Sequence, residues 1–177
     1  ETPELVLRNA EAAMFHAKQL GRAGYQFFAA DMNQRAQQRL RLENELRQAL
    51  AQGDFSLFYQ PQVDIASGRV TGAEALIRWR RGGGETFVSP AEFIPVAEES
   101  GLILPIGEWV LREACRQRIL WREAGLPQFP LAVNISAVQF RQRDFAGATL
   151  ALIREFDIRT GEIELEVTES VVMHDPE

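Results

Sequence analysis

The spacing of apolar positions changes period several times along this chain, and each change marks a different element. Leu5, Ala12, Ala13, Ala17 and Leu20 form a rough helical stripe, which predicts a helix over residues 4–20 that stops at Gly21. Tyr25-Gln26-Phe27-Phe28 then reads as a short strand. A helix and one strand hold too little core for a domain, so this opening reads as the tail of something upstream. Residues 31–52 are rich in Gln and Arg and free of Gly and Pro. Asp31 can cap that segment, while Leu42, Leu46, Ala49 and Leu50 fall at i, i+4, i+7 and i+8, so a helical connector with one apolar stripe is expected. The stripe is open to two readings, packing on the chain's own domain or a dimerising, signal-relaying helix.

From Phe55 the period shortens to that of extended backbone. Residues 55–65 and 69–79 flank Ala66-Ser67-Gly68, a hairpin pattern that makes these two strands antiparallel. Ser89-Pro90-Ala91-Glu92 has the form of a capping box with proline at the first helical position. A helix is expected from about Pro105 to Ala124, ending at Gly125, then a strand over Leu131–Ile135, a helix near Asp144–Phe156 and a strand over Glu162–Val167. Strands alternating with helices after a hairpin imply parallel pairing through crossovers. Helices outside and a site inside suit a β/α barrel, but such barrels usually take about 250 residues. Four strands after residue 53 leave two options, a small open sheet or half a barrel.

Composition narrows the functional classes. Of 177 residues, 46% are hydrophobic and 25% charged, an ordinary globular balance. No apolar run is long enough to span a bilayer, and no basic stretch leads into an apolar signal segment. The single Cys115 allows no internal disulfide and points to a reducing, cytoplasmic setting, although a parent chain could be tethered to a membrane upstream. A net charge of −6 argues against a nucleic-acid surface, and a phosphate ligand would need cations or local arginines.

Three apolar segments contain polar oxygens. Glu74 interrupts residues 70–79 with Arg78 four positions on, which puts both on one face of a strand. Asn134 interrupts Leu131–Ile135, and Glu162, Glu164 and Glu166 alternate with Ile163, Leu165 and Val167, which places the three glutamates on a common face. Each has a structural alternative: a Glu74–Arg78 pair, an asparagine bonded to nearby backbone, and a solvated glutamate face. Strands covered on both sides tolerate free carboxylates poorly, which favours cation binding. Two distant histidines and one cysteine provide no zinc pattern, whereas glutamate and asparagine oxygens suit hard ions such as Mg²⁺ or Mn²⁺. Gly82-Gly83-Gly84 leads to Glu85 and not to a helix start, so it reads as a flexible loop and not a phosphate loop.

From Phe55 onward the motifs resemble the first half of an EAL domain, the bacterial cyclic-di-GMP phosphodiesterase. The resemblance rests on Tyr59-Gln60-Pro61, the run Gly72–Trp79 around Glu74-Ala75-Leu76, Ser89–Pro95, Ala97–Ile103, Val133-Asn134-Ile135-Ser136, Gln139-Phe140 and Glu164–Ser170. It implies an α/β fold, a modified (β/α)8 TIM-like barrel with its first strand antiparallel, of which this chain holds about the first half. It also implies Mg²⁺- or Mn²⁺-dependent hydrolysis of one phosphodiester of cyclic-di-GMP to the linear dinucleotide pGpG. By the same resemblance, Glu74, Asn134 and Glu166 are the metal ligands and Glu169 is a supporting carboxylate. Arg78 binds a substrate phosphate, Gln60 lies beside the ligand, and Pro90 and Phe93 lie near a guanine. The family's paired aspartates, its lysine and a further glutamate fall after Glu177, so these residues alone are expected to be inactive.

Asn9–Met14, Ala17-Lys18 and Gly21-Arg22 resemble the end of a GGDEF diguanylate cyclase domain, with Lys18 and Arg22 at phosphate-touching positions and here expected to be solvated helix-end charges. The resulting division is residues 1–30 as the end of a GGDEF-like domain, 31–52 as a helical linker and 53–177 as half of an EAL domain. Two alternatives stand beside the enzyme: a catalytically silent cyclic-di-GMP receptor, and a module that homodimerises through residues 31–52. Half a barrel would also expose an unpaired strand edge and an apolar helix face, which predicts association, partial disorder or a longer parent chain.

Overall fold

A computed structural model describes residues 2–19, 24–84 and 86–167. The chain divides into two compact units, residues 1–45 and 46–177. In the first, helix α1 (Pro3–Gln19) is followed by most of helix α2 (Ala30–Gln52). Asn33 Nδ2 of α2 donates to Asn9 Oδ1 of α1 at 3.0 Å, and the Arg39 guanidinium lies over the Phe15 ring at 5.1 Å. The strand expected at Tyr25–Phe28 is absent: residues 25–29 form no regular element. A strand is held by pairing, and among the described residues none pairs with this segment. Tyr25 and Phe27, 79% and 81% exposed, instead meet edge to face at 5.5 Å. Leu20, Gly21 and Arg22 lie outside the described residues.

The second unit is built on a five-stranded sheet. Strand β1 (Phe55–Val63) and strand β2 (Val70–Arg80) form the expected antiparallel hairpin. The Asp64 carboxylate closes it by accepting from the Ser67 N–H at 2.8 Å and the Ser67 hydroxyl at 2.6 Å, while Gly68 supplies a left-handed residue at φ +66°. The two-residue strand β3 (Phe87–Val88) adds to β2 after a 3-10 turn at Arg81–Gly83, so the glycine run is a turn and not an open loop. Helices α3 (Pro90–Ser100) and α4 (Ile103–Glu123) lead to strand β4 (Leu131–Ile135), which pairs parallel with β2. Helices α5 (Ala137–Phe140) and α6 (Phe145–Glu155) lead to strand β5 (Ile163–Val167), parallel to β4. The order β1-β2-β4-β5 is thus a mixed sheet whose first strand alone in that path runs antiparallel.

One face of the sheet packs on the helices. Trp79 and Phe55 meet Phe93 of α3 at ring distances of 5.6 and 6.2 Å, and Phe55 meets Trp109 of α4 at 5.9 Å. Leu131, Val133 and Ile135 of β4 are buried along with Ile106, Ala114 and Cys115 of α4. Each fully buried Leu, Val, Ile or Phe side chain contributes on the order of 1.5–3 kcal/mol, so this layer dominates the stability of the unit. Leu46 and Ala49, in the part of α2 belonging to this unit, are buried as well, which favours intradomain packing for the lower half of the apolar stripe.

Ser89 does precede α3 with Pro90 at the first helical position, but the capping box is not formed. The Glu92 N–H bonds the Ser89 carbonyl at 2.9 Å instead of its hydroxyl. A complete box lies at Ser136 and Gln139, where the Gln139 N–H donates to Ser136 Oγ and the Ser136 N–H to Gln139 Oε1, each at 3.2 Å. Its signature, Ser136-Ala137-Val138-Gln139, was equally visible in the chain.

Candidate active site

The face of the sheet opposite the helices carries the polar residues. Gln60 stands opposite Glu74 across β1 and β2, Glu74 is level with Ala132, Ala132 with Glu164, and Asn134 with Glu166. Residues paired in register point to one side, so Gln60, Glu74, Asn134, Glu164 and Glu166 share this face, and Arg78 joins them two alternations beyond Glu74. Contact between strands is direct: Asn134 Nδ2 donates to Glu74 Oε1 at 2.7 Å. This bond leaves the Asn134 carbonyl oxygen and the second Glu74 oxygen available to a further partner.

Arg78 and Glu74 make no ion pair. The guanidinium donates from Nη1 to the Ile77 carbonyl at 2.9 Å and lies over the Phe58 ring at 5.5 Å. Both contacts leave donors of the planar fork uncommitted. Beside it, Arg78, Pro90, Asn134 and Ser136 contribute to a cavity of about 280 Å³ between the ends of β2 and β4 and helices α3 and α4. The Ser136–Gln139 cap shapes one wall. Gln139 is buried against Gly107 of α4, where a Cβ would clash with the Gln139 side-chain amide. Glycine at 107 is therefore what lets the capped turn after Asn134 approach the helix.

Two sequence expectations need correction. Phe93 is fully buried on the helix-side face, locked between Phe55 and Trp79, and so has no surface to offer a base. Its helix presents Pro90 and Ile94 to the cavity, while Phe93 points into the core because it falls on the apolar stripe with Val96 and Ala97. Glu162 does not share the polar face with Glu164 and Glu166. It precedes β5, where its side chain turns into the helix layer and accepts from Arg118 Nη2 at 3.3 Å, Arg122 Nη1 at 3.4 Å and the Arg159 N–H at 2.8 Å. Strand alternation does not extend beyond the strand. Glu169 lies outside the described residues.

The set Glu74, Asn134 and Glu166 on the polar face contains only hard oxygen donors and fits Mg²⁺ or Mn²⁺ better than zinc or copper. Among the described residues no group of three or more His, Cys, Asp and Glu is assembled to hold an ion. No helix among those residues is long and apolar enough to cross a membrane.

The EAL domain family model matches residues 43–177. A bifunctional diguanylate cyclase/cyclic di-GMP phosphodiesterase, MucR of Pseudomonas aeruginosa, is 43% identical over 175 residues, covering 99% of this chain and 25% of its own length. The cyclic di-GMP phosphodiesterase PdeR of Escherichia coli is 37% identical over 175 residues, covering 97% of this chain and 26% of its own. Among solved structures, a PaMucR phosphodiesterase in complex with c-di-GMP superposes with a TM-score of 0.72 at 41% identity, covering 76% of this chain and 54% of that one. The chain thus spans about a quarter of the length of these curated relatives.

Proposed function

The chain belongs to the EAL domain family, and from that premise we propose that it supplies the opening strands and the first ligand positions of a cyclic-di-GMP phosphodiesterase. The observation that carries this reading is the hydrogen bond from Asn134 to Glu74 at 2.7 Å, with Glu166 level with Asn134 on the next strand. Three oxygen-bearing side chains from three adjacent strands share one face, and two of them are hydrogen-bonded. Glu74, Asn134 and Glu166 hold Mg²⁺ or Mn²⁺, with Glu169 as a supporting carboxylate. Such an ion, when bound, neutralises phosphoryl oxygens and activates water.

The chain's own residues do the remaining work. Asn134 fixes the Glu74 carboxylate by donating to Oε1, so one lone-pair direction is set before any ligand arrives. Arg78 binds a phosphate through its uncommitted donors, offsetting the repulsion expected from a net charge of −6. Gln60 lies beside the dinucleotide, and Pro90 flanks a base at the cavity of about 280 Å³. Hydrolysis of one phosphodiester then yields the linear dinucleotide pGpG. Because the oxygen set is partial, residues 1–177 alone are expected to be inactive.

Residues 1–30 close a GGDEF-like domain. In support, the bifunctional relative aligns over 99% of the chain, whereas the EAL match begins at residue 43. A cytoplasmic site for the reaction accords with the single cysteine, free and buried at Cys115.

The test is turnover of cyclic-di-GMP by the full-length protein with Mn²⁺, beside a Glu74→Gln variant. Loss of this ligand is expected to lower turnover by more than about 100-fold, beyond the usual effect of residues that only support a metal ligand. Tight nucleotide binding by the wild type with no turnover would defeat the enzyme reading and establish a receptor.

A further inference from the structure

β5 carries Glu166 level with Asn134 of β4. It is five residues long and, among the described residues, pairs with β4. A one-residue slip exchanges the two faces of a strand, and here it would turn Glu166 away from Asn134.

We propose that Arg118 and Glu162 are positioning residues that set the register of β5 and so deliver Glu166 to the site. This rests on the reading of Glu166 as an oxygen donor. Arg118 is 2% and Glu162 3% exposed, and their ion pair at 3.3 Å ties α4 to the residue immediately before β5. The same guanidinium lies over Phe129 at 5.4 Å and over Trp121 at 5.9 Å, so it also fixes the segment leading into β4. The second Glu162 oxygen receives the Arg159 N–H and Arg122, and the Glu162 carbonyl receives the Leu131 N–H at 3.0 Å. The starts of both strands are thereby anchored to one helix. Pairing of Leu131 with Ile163 follows immediately, and three residues further it places Glu166 beside Asn134.

Stability alone does not account for this arrangement. Buried ion pairs are commonly no better for stability than apolar residues of similar volume. Arg118 Nε, moreover, finds no hydrogen-bond acceptor among the described residues, a cost for a buried donor. What the pair provides that apolar residues would not is a directional tie between two strand starts.

Removing Arg118 alone takes the partner of Oε1 from a buried carboxylate and leaves it Arg122 and the Arg159 N–H on Oε2, at a cost in stability that would mask the effect on the site. The informative variant is therefore Arg118→Met with Glu162→Gln, which cancels both charges and keeps an acceptor for the Arg159 N–H. In the full-length protein, Mn²⁺ affinity is measured by calorimetry, amide hydrogen exchange is followed at β4 and β5, and the melting temperature serves as the fold control. The expected result is a melting temperature close to wild type, faster exchange confined to Ile163–Val167, and Mn²⁺ binding weakened about 10- to 100-fold, the range found when residues orienting a ligand are lost. Arg118→Lys, which keeps a charge at this position, is expected to recover part of the affinity. Unchanged exchange at β5 with unchanged Mn²⁺ affinity in the double variant overturns the proposal. If instead the wild type neither binds Mn²⁺ nor hydrolyses cyclic-di-GMP, the site reading fails, and the exchange data still decide whether the pair sets β5.

Discussion

On the helix side of the sheet, Trp79, Leu131 and Val133 are buried and meet aromatic and aliphatic side chains from α3 and α4. On the opposite side of the same strands, Asn134 and Glu166 reach solvent, and Glu74 is half-buried with Asn134 as its hydrogen-bond partner. The backbone ladder serves both faces equally, so the difference lies wholly in which side chains the alternation assigns to each. The helix-side residues can be judged by the volume they fill. Those opposite are polar and partly solvated, and they stabilise little. A substitution on one face should therefore move stability without altering the chemistry of the folded molecules, and a substitution on the other should do the reverse.

Phe93→Ala is the largest expected break of that contrast. The ring is fully buried among Phe55 and Trp79, and its removal leaves a cavity that close packing cannot refill. A loss of about 3–5 kcal/mol is expected by chemical denaturation, with turnover per folded molecule unchanged. If Phe93 touched a guanine, KM for the cyclic dinucleotide would rise in the molecules that remain folded. A normal KM at reduced stability is the outcome the buried position requires.

Asn134→Ala probes the other face. It removes one partly solvated hydrogen bond, worth on the order of 1 kcal/mol or less. Denaturation should hardly register it. Metal affinity and turnover should both fall, because the substitution removes an oxygen donor and releases the Glu74 carboxylate from its 2.7 Å restraint. A variant that lost several kcal/mol while retaining wild-type metal affinity would reassign Asn134 to the scaffold.

The contrast also separates what was legible in the chain from what was not. Alternation with β-branched and aromatic residues identified β1, β2, β4 and β5, and helices between strands implied their parallel pairing. The joint placement of Glu74, Asn134 and Glu166 followed once register was known. Phe93 was misjudged because a residue four positions from a helix start can face either cavity or core, and only the aromatic neighbours decide. Glu162 obeyed the period of its neighbours in sequence but lies one residue outside the strand, where Arg118 and Arg122 of α4 determine its direction. The arginines are 44 and 40 residues away, so no local pattern announces the pair. The missing strand at Tyr25–Phe28 makes the same point: aromatic composition favours extension, but pairing must stabilise it.

The smallest effect expected is confined to alkaline pH and sharpens the dry character of the helix-side face. The Tyr59 ring packs edge to face on Trp121 of α4 at 4.9 Å. Burial, with a smaller contribution from the negative charge of Glu113, pushes its phenol up to about 12. An unfolded chain ionises tyrosine near 10, so between pH of about 10 and 12 the unfolded state releases a proton that the folded state keeps. The unfolded state then binds fewer protons, and stability must fall as pH rises through that window, while below it Tyr59 contributes no slope. Cys115, raised to about 11 chiefly by burial, acts in the same direction but begins at lower pH, where an unfolded thiol ionises. Denaturation midpoints from pH 8 to 12 for wild type and Tyr59→Phe separate the two groups. Phenylalanine keeps the ring contact and removes the titration, so the early decline due to Cys115 should persist and the later one should flatten. A decline unflattened above pH of about 11, beyond the window of Cys115, would mean that water reaches the Tyr59 hydroxyl, and the dry part of β1 would then be limited to the neighbourhood of Phe55.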